Sequence, residues 1–133
     1  MAFWLVKSEP DTWSWDDQAK AGVTPWNGVR NYQALANMRA MQKGDETFFY
    51  HSGKAREIVG LVAIVRAFYP DAEDERSGLV DVRALRAVPR PVALAAIKAD
   101  PHLHHLALVR QSRLSVMPVD PASWSILAGM AGL

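Results

Sequence analysis

A chain of 133 residues, half of them hydrophobic and 22% charged, suits one compact globular core and excludes a wholly disordered or fibrous protein. Fifteen Lys and Arg against fourteen Asp and Glu leave a net charge of +1, which excludes affinity resting on bulk positive charge while leaving room for a local patch. Cysteine is absent, so no disulfide, thiolate nucleophile or cysteine metal site can form, and a reducing cytoplasm is the compartment that fits.

The start, Met1-Ala2-Phe3-Trp4-Leu5-Val6-Lys7, has a short apolar run with no basic region before it and does not read as a secretory signal. Phe3 to Lys7 reads instead as a buried strand stopped by Ser8-Glu9-Pro10, where Pro10 lacks an amide proton. Ser14, Asp17 and Gly22 mark the start and end of a short helix from Trp15 to Ala21. Val23 to Trp26 is extended, Asn27-Gly28 makes a tight turn, and Asn31 caps a second helix over Tyr32 to Met41, ended by Lys43-Gly44-Asp45.

Two strands follow, Thr47 to Tyr50 and Glu57 to Phe68, joined by the polar loop His51 to Arg56. The longest strongly apolar run, Ile58 to Val65, is far too short to span a bilayer, which takes about 20 residues. Pro70 to Gly78 is the most acidic and least apolar stretch and reads as an exposed hairpin loop. Leu79 to Val88 is another strand, broken by Pro89 and Pro91, with a helical turn or two around Val92, Leu94 and Ile97. Asp100-Pro101 can open a further turn, Ser112 to Val119 is mostly extended, and Asp120-Pro121 opens a last helix through Leu127. The expectation is a soluble single domain, residues 1–133, of α+β class, with a mixed, barrel-like sheet and peripheral helices.

Enzyme signatures are weak: there is no Gly-x-Ser-x-Gly elbow, no phosphate-binding glycine loop and no His-Glu-x-x-His pair. His102, His104 and His105 resemble a metal cluster, but a site needs about three converging ligands and only Asp100 accompanies them, so no metal is expected. Asp16 and Asp17 diverge around a helix, and Ser52 and His51 point to opposite faces of a strand, so neither pair makes a catalytic dyad.

The informative segments are Lys7-Ser8-Glu9-Pro10, Trp26 to Gln33, Phe48 to Ser52, and Arg110 to Ser115. Each lies at a strand end or in a loop and mixes aromatic surface with amide, hydroxyl or guanidinium groups. That mixture suits a flat heterocycle, stacked on its face and hydrogen-bonded at its edge. Arg30, Arg110 and Arg113 are candidate contacts to flanking phosphates. From Val82 to Arg113, six basic residues meet one acid, Asp100, while acids concentrate between Asp71 and Asp81.

Over almost its whole length the chain resembles the EVE domain family. The resemblance rests on Phe3-Trp4-Leu5-Val6-Lys7-Ser8-Glu9-Pro10, Trp26-Asn27-Gly28-Val29-Arg30-Asn31-Tyr32-Gln33-Ala34, Phe48-Phe49-Tyr50-His51-Ser52 and Ala107 to Val116, in that order. Leu35 departs from the pattern, since members often carry Arg there. The resemblance implies a PUA-like fold, a mostly antiparallel β-barrel with peripheral helices, related to YTH and ASCH domains. It also implies a non-catalytic reader of a modified base, with modified cytosine the usual suggestion, whose partner is DNA or RNA and which takes no cofactor.

The residues carried onto this chain are Trp26 as an aromatic wall, Asn31 as an edge-reading amide, and Lys7 and Ser8 at the pocket mouth. Tyr50 and Ser52 would line it, Arg110 and Ser115 would contact base or phosphate, and Arg30 and Arg113 would hold the backbone. Two alternatives stay open: a nuclease or RNA-processing enzyme using His51, Lys7 and Tyr50, or a module for free nucleosides or proteins.

Overall fold

A computed structural model describes all 133 residues. In chain order it contains β1 (Phe3–Ser8), α1 (Trp15–Ala21), β2 (Val23–Trp26), α2 (Tyr32–Ala40), β3 (Glu46–His51) and β4 (Glu57–Asp71). These are followed by β5 (Asp74–Ala93), α3 (Leu94–Ala99), a 3-10 turn (Pro101–Leu103), α4 (Ala107–Arg110), β6 (Val116–Val119) and α5 (Pro121–Ala131). No helix is long and apolar enough to cross a membrane.

The six strands form one sheet in the order β2-β5-β4-β3-β1-β6, antiparallel except where β1 runs parallel to β3. The α+β class is as expected, but the sheet is not closed into a barrel. Both of its edges, β2 and β6, are only four residues long and do not pair with each other. The helix α2 packs against β6 at one edge and against β4 and β5 toward the other, so helix rather than strand pairing bridges the ends. Repeated register shifts between β4 and β5 bend the long ribbon that a closed barrel would have needed.

Local signals in the sequence explain the helix starts. Ser14 and Asp17 exchange hydrogen bonds in a capping box, Asn31 accepts from the Ala34 amide, and Asp120 accepts from the Ser123 amide ahead of Pro121. The acidic stretch from Pro70 to Gly78 is not a free loop. Pro70 pairs with Gly78 and Asp71 with Asp74, so the strands run almost to the tip. A methyl group at Gly78 would collide with the Phe68 ring, and this close packing holds the ribbon together despite its polar composition.

Nor do Pro89 and Pro91 break β5, which continues to Ala93. Ile58 pairs with Val92 and Gly60 with Ala87, so the intervening β5 residues, including both prolines, bulge out of the ladder where no amide proton is required. At the other end of the chain, α5 extends to Ala131, and Ser112 to Ser115 form a turn before β6 rather than strand.

β3 is buried on both sides. Phe48 stacks on Trp124 of α5 with ring centres 3.9 Å apart, and Phe3 stacks on the same indole at 4.4 Å. Phe49 meets Trp15 and Trp26 edge-on. Each such pair contributes about 0.5–1.5 kcal/mol beyond the area it buries. Gly60 is the complement of Trp15, because a side-chain carbon there would overlap the indole.

Asp45, only 4% exposed, ties the start of the chain to the turn before β3. Burial opposes its ionisation. Hydrogen bonds from the Trp4 indole (3.0 Å) and from the Gln42 and Ala2 amides (2.9 and 3.2 Å) outweigh that and hold its carboxyl below the usual 3.8. A depressed native value means the stabilisation is present above the unfolded value and lost as pH falls through the native one. Replacing Asp45→Ala is expected to destabilise the fold by about 2–3 kcal/mol in urea unfolding at pH 7 and to flatten the acid limb of the stability profile below pH ~4.

Candidate functional site

Parallel pairing of β1 and β3 brings their C-terminal ends side by side, with Lys7 opposite Tyr50 and Ser8 opposite His51. On the other side of β1, the Lys7 amide donates to the Ser115 carbonyl at 2.9 Å. Four of the sequence-predicted residues, Lys7, Ser8, Trp26 and Ser115, thereby line one open cleft of about 550 Å³. Its other walls come from the turn after β1 (Glu9, Thr12, Trp13) and from the end of β2 and its turn (Pro25, Asn27, Gly28). Trp26 is buried, 7% exposed, and packs edge-on against Phe49 at 5.6 Å while lining the cleft.

The other predicted residues, Arg30 apart, fall into two adjoining hollows. Tyr50 and Ser52 line one of about 330 Å³, which also contains Lys7. Asn31, Arg110 and Arg113 line a shallower one of about 310 Å³, linked to the second hollow through Ser112. Asn31 uses its side-chain oxygen to cap α2, which leaves its NH2 group for a ligand. Arg110 donates through Nε to the His104 carbonyl at 3.1 Å. Arg30 lines none of these hollows, because it pairs with Asp74 on the β4–β5 ribbon at 2.8 Å.

Several groups that look reactive in sequence have structural partners. His51 Nε2 accepts the Trp15 amide proton at 3.0 Å and so anchors the first turn of α1. The Ser8 hydroxyl donates to the Trp13 carbonyl. The Lys7 ammonium donates to the Ser112 carbonyl at 2.9 Å, and its partial burial lowers its pKa. Burial raises the Tyr50 pKa, with the nearby Arg56 charge acting in the opposite direction. The three neighbouring histidines turn to different partners: His102 to Asp100, His104 to the Lys98 carbonyl and His105 to Asp120.

Gln18 is a residue whose importance sequence reasoning missed. It is fully buried on α1, and its amide oxygen accepts from the Trp13 indole (3.0 Å) and the Thr24 hydroxyl (2.8 Å), both cleft residues. Its amide NH2 donates to the Gly22 carbonyl. A polar residue at the core-facing position of an otherwise ordinary amphipathic helix was the available signal. Thr12 and Trp13 were missed as well, their clue only proximity to the Lys7-Ser8-Glu9-Pro10 segment, in which Glu9 was singled out without a role.

Comparison with known proteins places these features in a wider set. The family model described as EVE domain matches residues 2–130. Human thymocyte nuclear protein 1 is 34% identical over an alignment covering 96% of this chain and 72% of that protein. A Rhodopseudomonas palustris protein solved by NMR is 46% identical, with a TM-score of 0.94 over 99% of this chain and 94% of that one. The crystal structure of human THYN1 protein in complex with 5-methylcytosine containing DNA superposes with a TM-score of 0.91 at 30% identity, covering 100% of this chain and 99% of that one. An ASCH structure from Zymomonas mobilis, 11% identical with a TM-score of 0.60, shares the fold alone.

The Gln18 contacts lead to a direct test of how the cleft is held. Gln18→Leu keeps the volume but removes the acceptor for two cleft side chains, an unsatisfied-donor cost of about 1–3 kcal/mol. The expected outcome is a lower urea midpoint together with greater collisional quenching of tryptophan fluorescence as the Trp13 ring loosens.

Proposed function

This chain belongs to the EVE domain family, and from that premise we propose that it is a non-catalytic DNA-binding module that reads a modified cytosine in the cleft beside Trp26. The observation that carries this reading is the composition of the cleft. About 550 Å³ lies within the range of ligand clefts, roughly 300–1,000 Å³. One wall is aromatic and the rim is polar, which is the division a planar base requires. The likeness to human THYN1 protein in complex with 5-methylcytosine containing DNA supports the choice of DNA and of cytosine.

Each wall has a chemical task in this reading. The Trp26 and Trp13 rings offer π surface to the base, and stacking of this kind contributes about 1–3 kcal/mol. The Glu9 carboxylate is an acceptor for an exocyclic amine such as cytosine N4. Ser115, Asn27 and Thr12 supply hydroxyl or amide groups for the remaining polar edge, and Pro25 and Val29 supply apolar surface for a methyl substituent. A base reaches such a cleft only after leaving its stack, so the cost of unstacking falls on the protein–base contacts. Arg110 and Arg113 in the adjoining hollow are placed for the strand that carries the base.

Binding of matched oligonucleotides with and without a single 5-methylcytosine tests the reading. The methylated DNA is expected to bind more tightly, and Trp26→Phe and Glu9→Gln are expected to reduce that preference by roughly tenfold. Equal affinity for the two DNAs, or a preference found only with RNA, would count against it. Because Trp26 also packs on Phe49, circular dichroism of each variant separates loss of recognition from loss of fold.

A further inference from the structure

The hollow lined by Tyr50 and Ser52 has a character of its own. Three cations, Lys7, Arg56 and Lys98, converge on it with no carboxylate in its lining. Glu9, which packs against Gly53, lines the Trp26 cleft instead. None of the three cations belongs to an ion pair: the three in the structure are Arg30 with Asp74, His102 with Asp100 and His105 with Asp120. Lys7 holds only a backbone carbonyl, that of Ser112, and Arg56 holds only that of Gly53 at 3.1 Å through Nε.

A second observation is independent of charge. Tyr50 is 2% exposed as a residue and lines this hollow, and its hydroxyl is engaged by no other side chain or backbone group of the protein. With its ring packed in the protein, the phenol keeps only its polar end for the hollow, where a ligand oxygen can accept its proton. The Lys7 ammonium lies 5.8 Å from the centre of the same ring, so donor and charge point into one space. Ser52 adds a second hydroxyl.

We propose that this hollow is a phosphate-binding site, in which Lys7, Arg56 and Lys98 supply charge and Tyr50 and Ser52 supply hydroxyl donors to the oxyanion. Like charges gathered around one hollow repel one another, and a doubly or singly charged oxyanion converts that repulsion into charge-assisted hydrogen bonds. Leu94, Leu108 and Val109 add apolar lining to the same hollow, which suits a phosphate ester better than the bare ion. The ester has two possible sources, the DNA backbone next to a base in the Trp26 cleft or a free mononucleotide. Lys7 is shared by the two spaces, and the inference rests on the DNA reading only for the choice between those sources.

Titration of inorganic phosphate into the 15N-labelled protein, against chloride at equal ionic strength, tests the site itself. Selective, saturable shifts are expected at Lys7, Tyr50, Ser52, Arg56 and Lys98. Lys98→Gln and Arg56→Gln, both exposed positions, are expected to weaken phosphate roughly fivefold or more while leaving the remaining spectrum intact. Shifts no larger than those with chloride, or unchanged in both variants, would overturn the proposal. Two further titrations assign the source. If it is the DNA backbone, Lys98→Gln weakens methylated and unmethylated DNA by one common factor and reduces the salt dependence by about one counterion. If it is a mononucleotide, cytidine 5′-monophosphate binding falls and DNA binding does not. A phosphate response with no methyl preference in DNA would uphold this site and reject the reading of the neighbouring cleft.

Discussion

Phe49 is the contact on which the rest of the site depends. It is wholly buried in β3, and three rings surround it edge-on: Trp15 at 5.4 Å, Trp26 at 5.6 Å and His51 at 5.8 Å. Each ring belongs to a different part of the chain, α1, β2 and the end of β3. One side chain therefore holds α1 and β2 against β3, and β2 in turn carries one wall of the cleft. The alternation of β3 sends Phe48 to the opposite face, where the Trp124 sandwich anchors α5. Both faces of β3 are thus covered, and the strand serves as the packed floor on which Trp15 and Trp26 rest.

The polar side of the site is arranged with similar economy. The turn after β1 is closed by the Thr12 and Trp13 amides on the Glu9 carbonyl, at 2.9 and 2.8 Å, and by the Ser8 hydroxyl on Trp13. Gln18 holds the Trp13 ring from behind, and the Ser52 amide donates to the Ser8 carbonyl. Most backbone and structural side-chain groups near the cleft are thus already engaged, which leaves Glu9, Thr12, Asn27 and Ser115 as groups with capacity for a ligand. A net charge of +1 is compatible with nucleic-acid binding here because cations line the hollows next to the cleft, while much of the acidic charge sits on the β4–β5 ribbon.

Signals that act over a few residues were the legible part of this chain. The Ser14–Asp17 box, the Asn31 cap and Asp120-Pro121 each satisfy helix-end amides locally, so their meaning does not depend on distant partners. What misled the reading was nonlocal. The polar composition of Pro70 to Gly78 suggests a loop, whereas pairing with the partner strand and the Phe68–Gly78 contact make it ribbon. Pro89 and Pro91 are strand breakers only where the ladder needs their amides, and the bulge opposite Val59 removes that need. Closure of the sheet depends on whether β2 meets β6, which no pattern within either strand can encode. The division of the candidate residues into three hollows is of the same kind: adjacency of Tyr50 to Lys7 comes from the parallel register of two strands separated by α1, β2 and α2.

The central claim, that the cleft beside the position 26 indole receives a methylated cytosine, is tested most directly by the tryptophan side-chain NMR signals. The protein has five indole N–H groups, and those of Trp4 and Trp13 are hydrogen-bonded to Asp45 and Gln18. Titration with DNA carrying a single 5-methylcytosine should shift the Trp26 and Trp13 signals while leaving in place those of Trp4, at the opposite end of β1 from Ser8, and Trp124, on the Phe48 face of β3. DNA binding that leaves Trp26 and Trp13 unmoved, or that moves all five equally, would contradict the account.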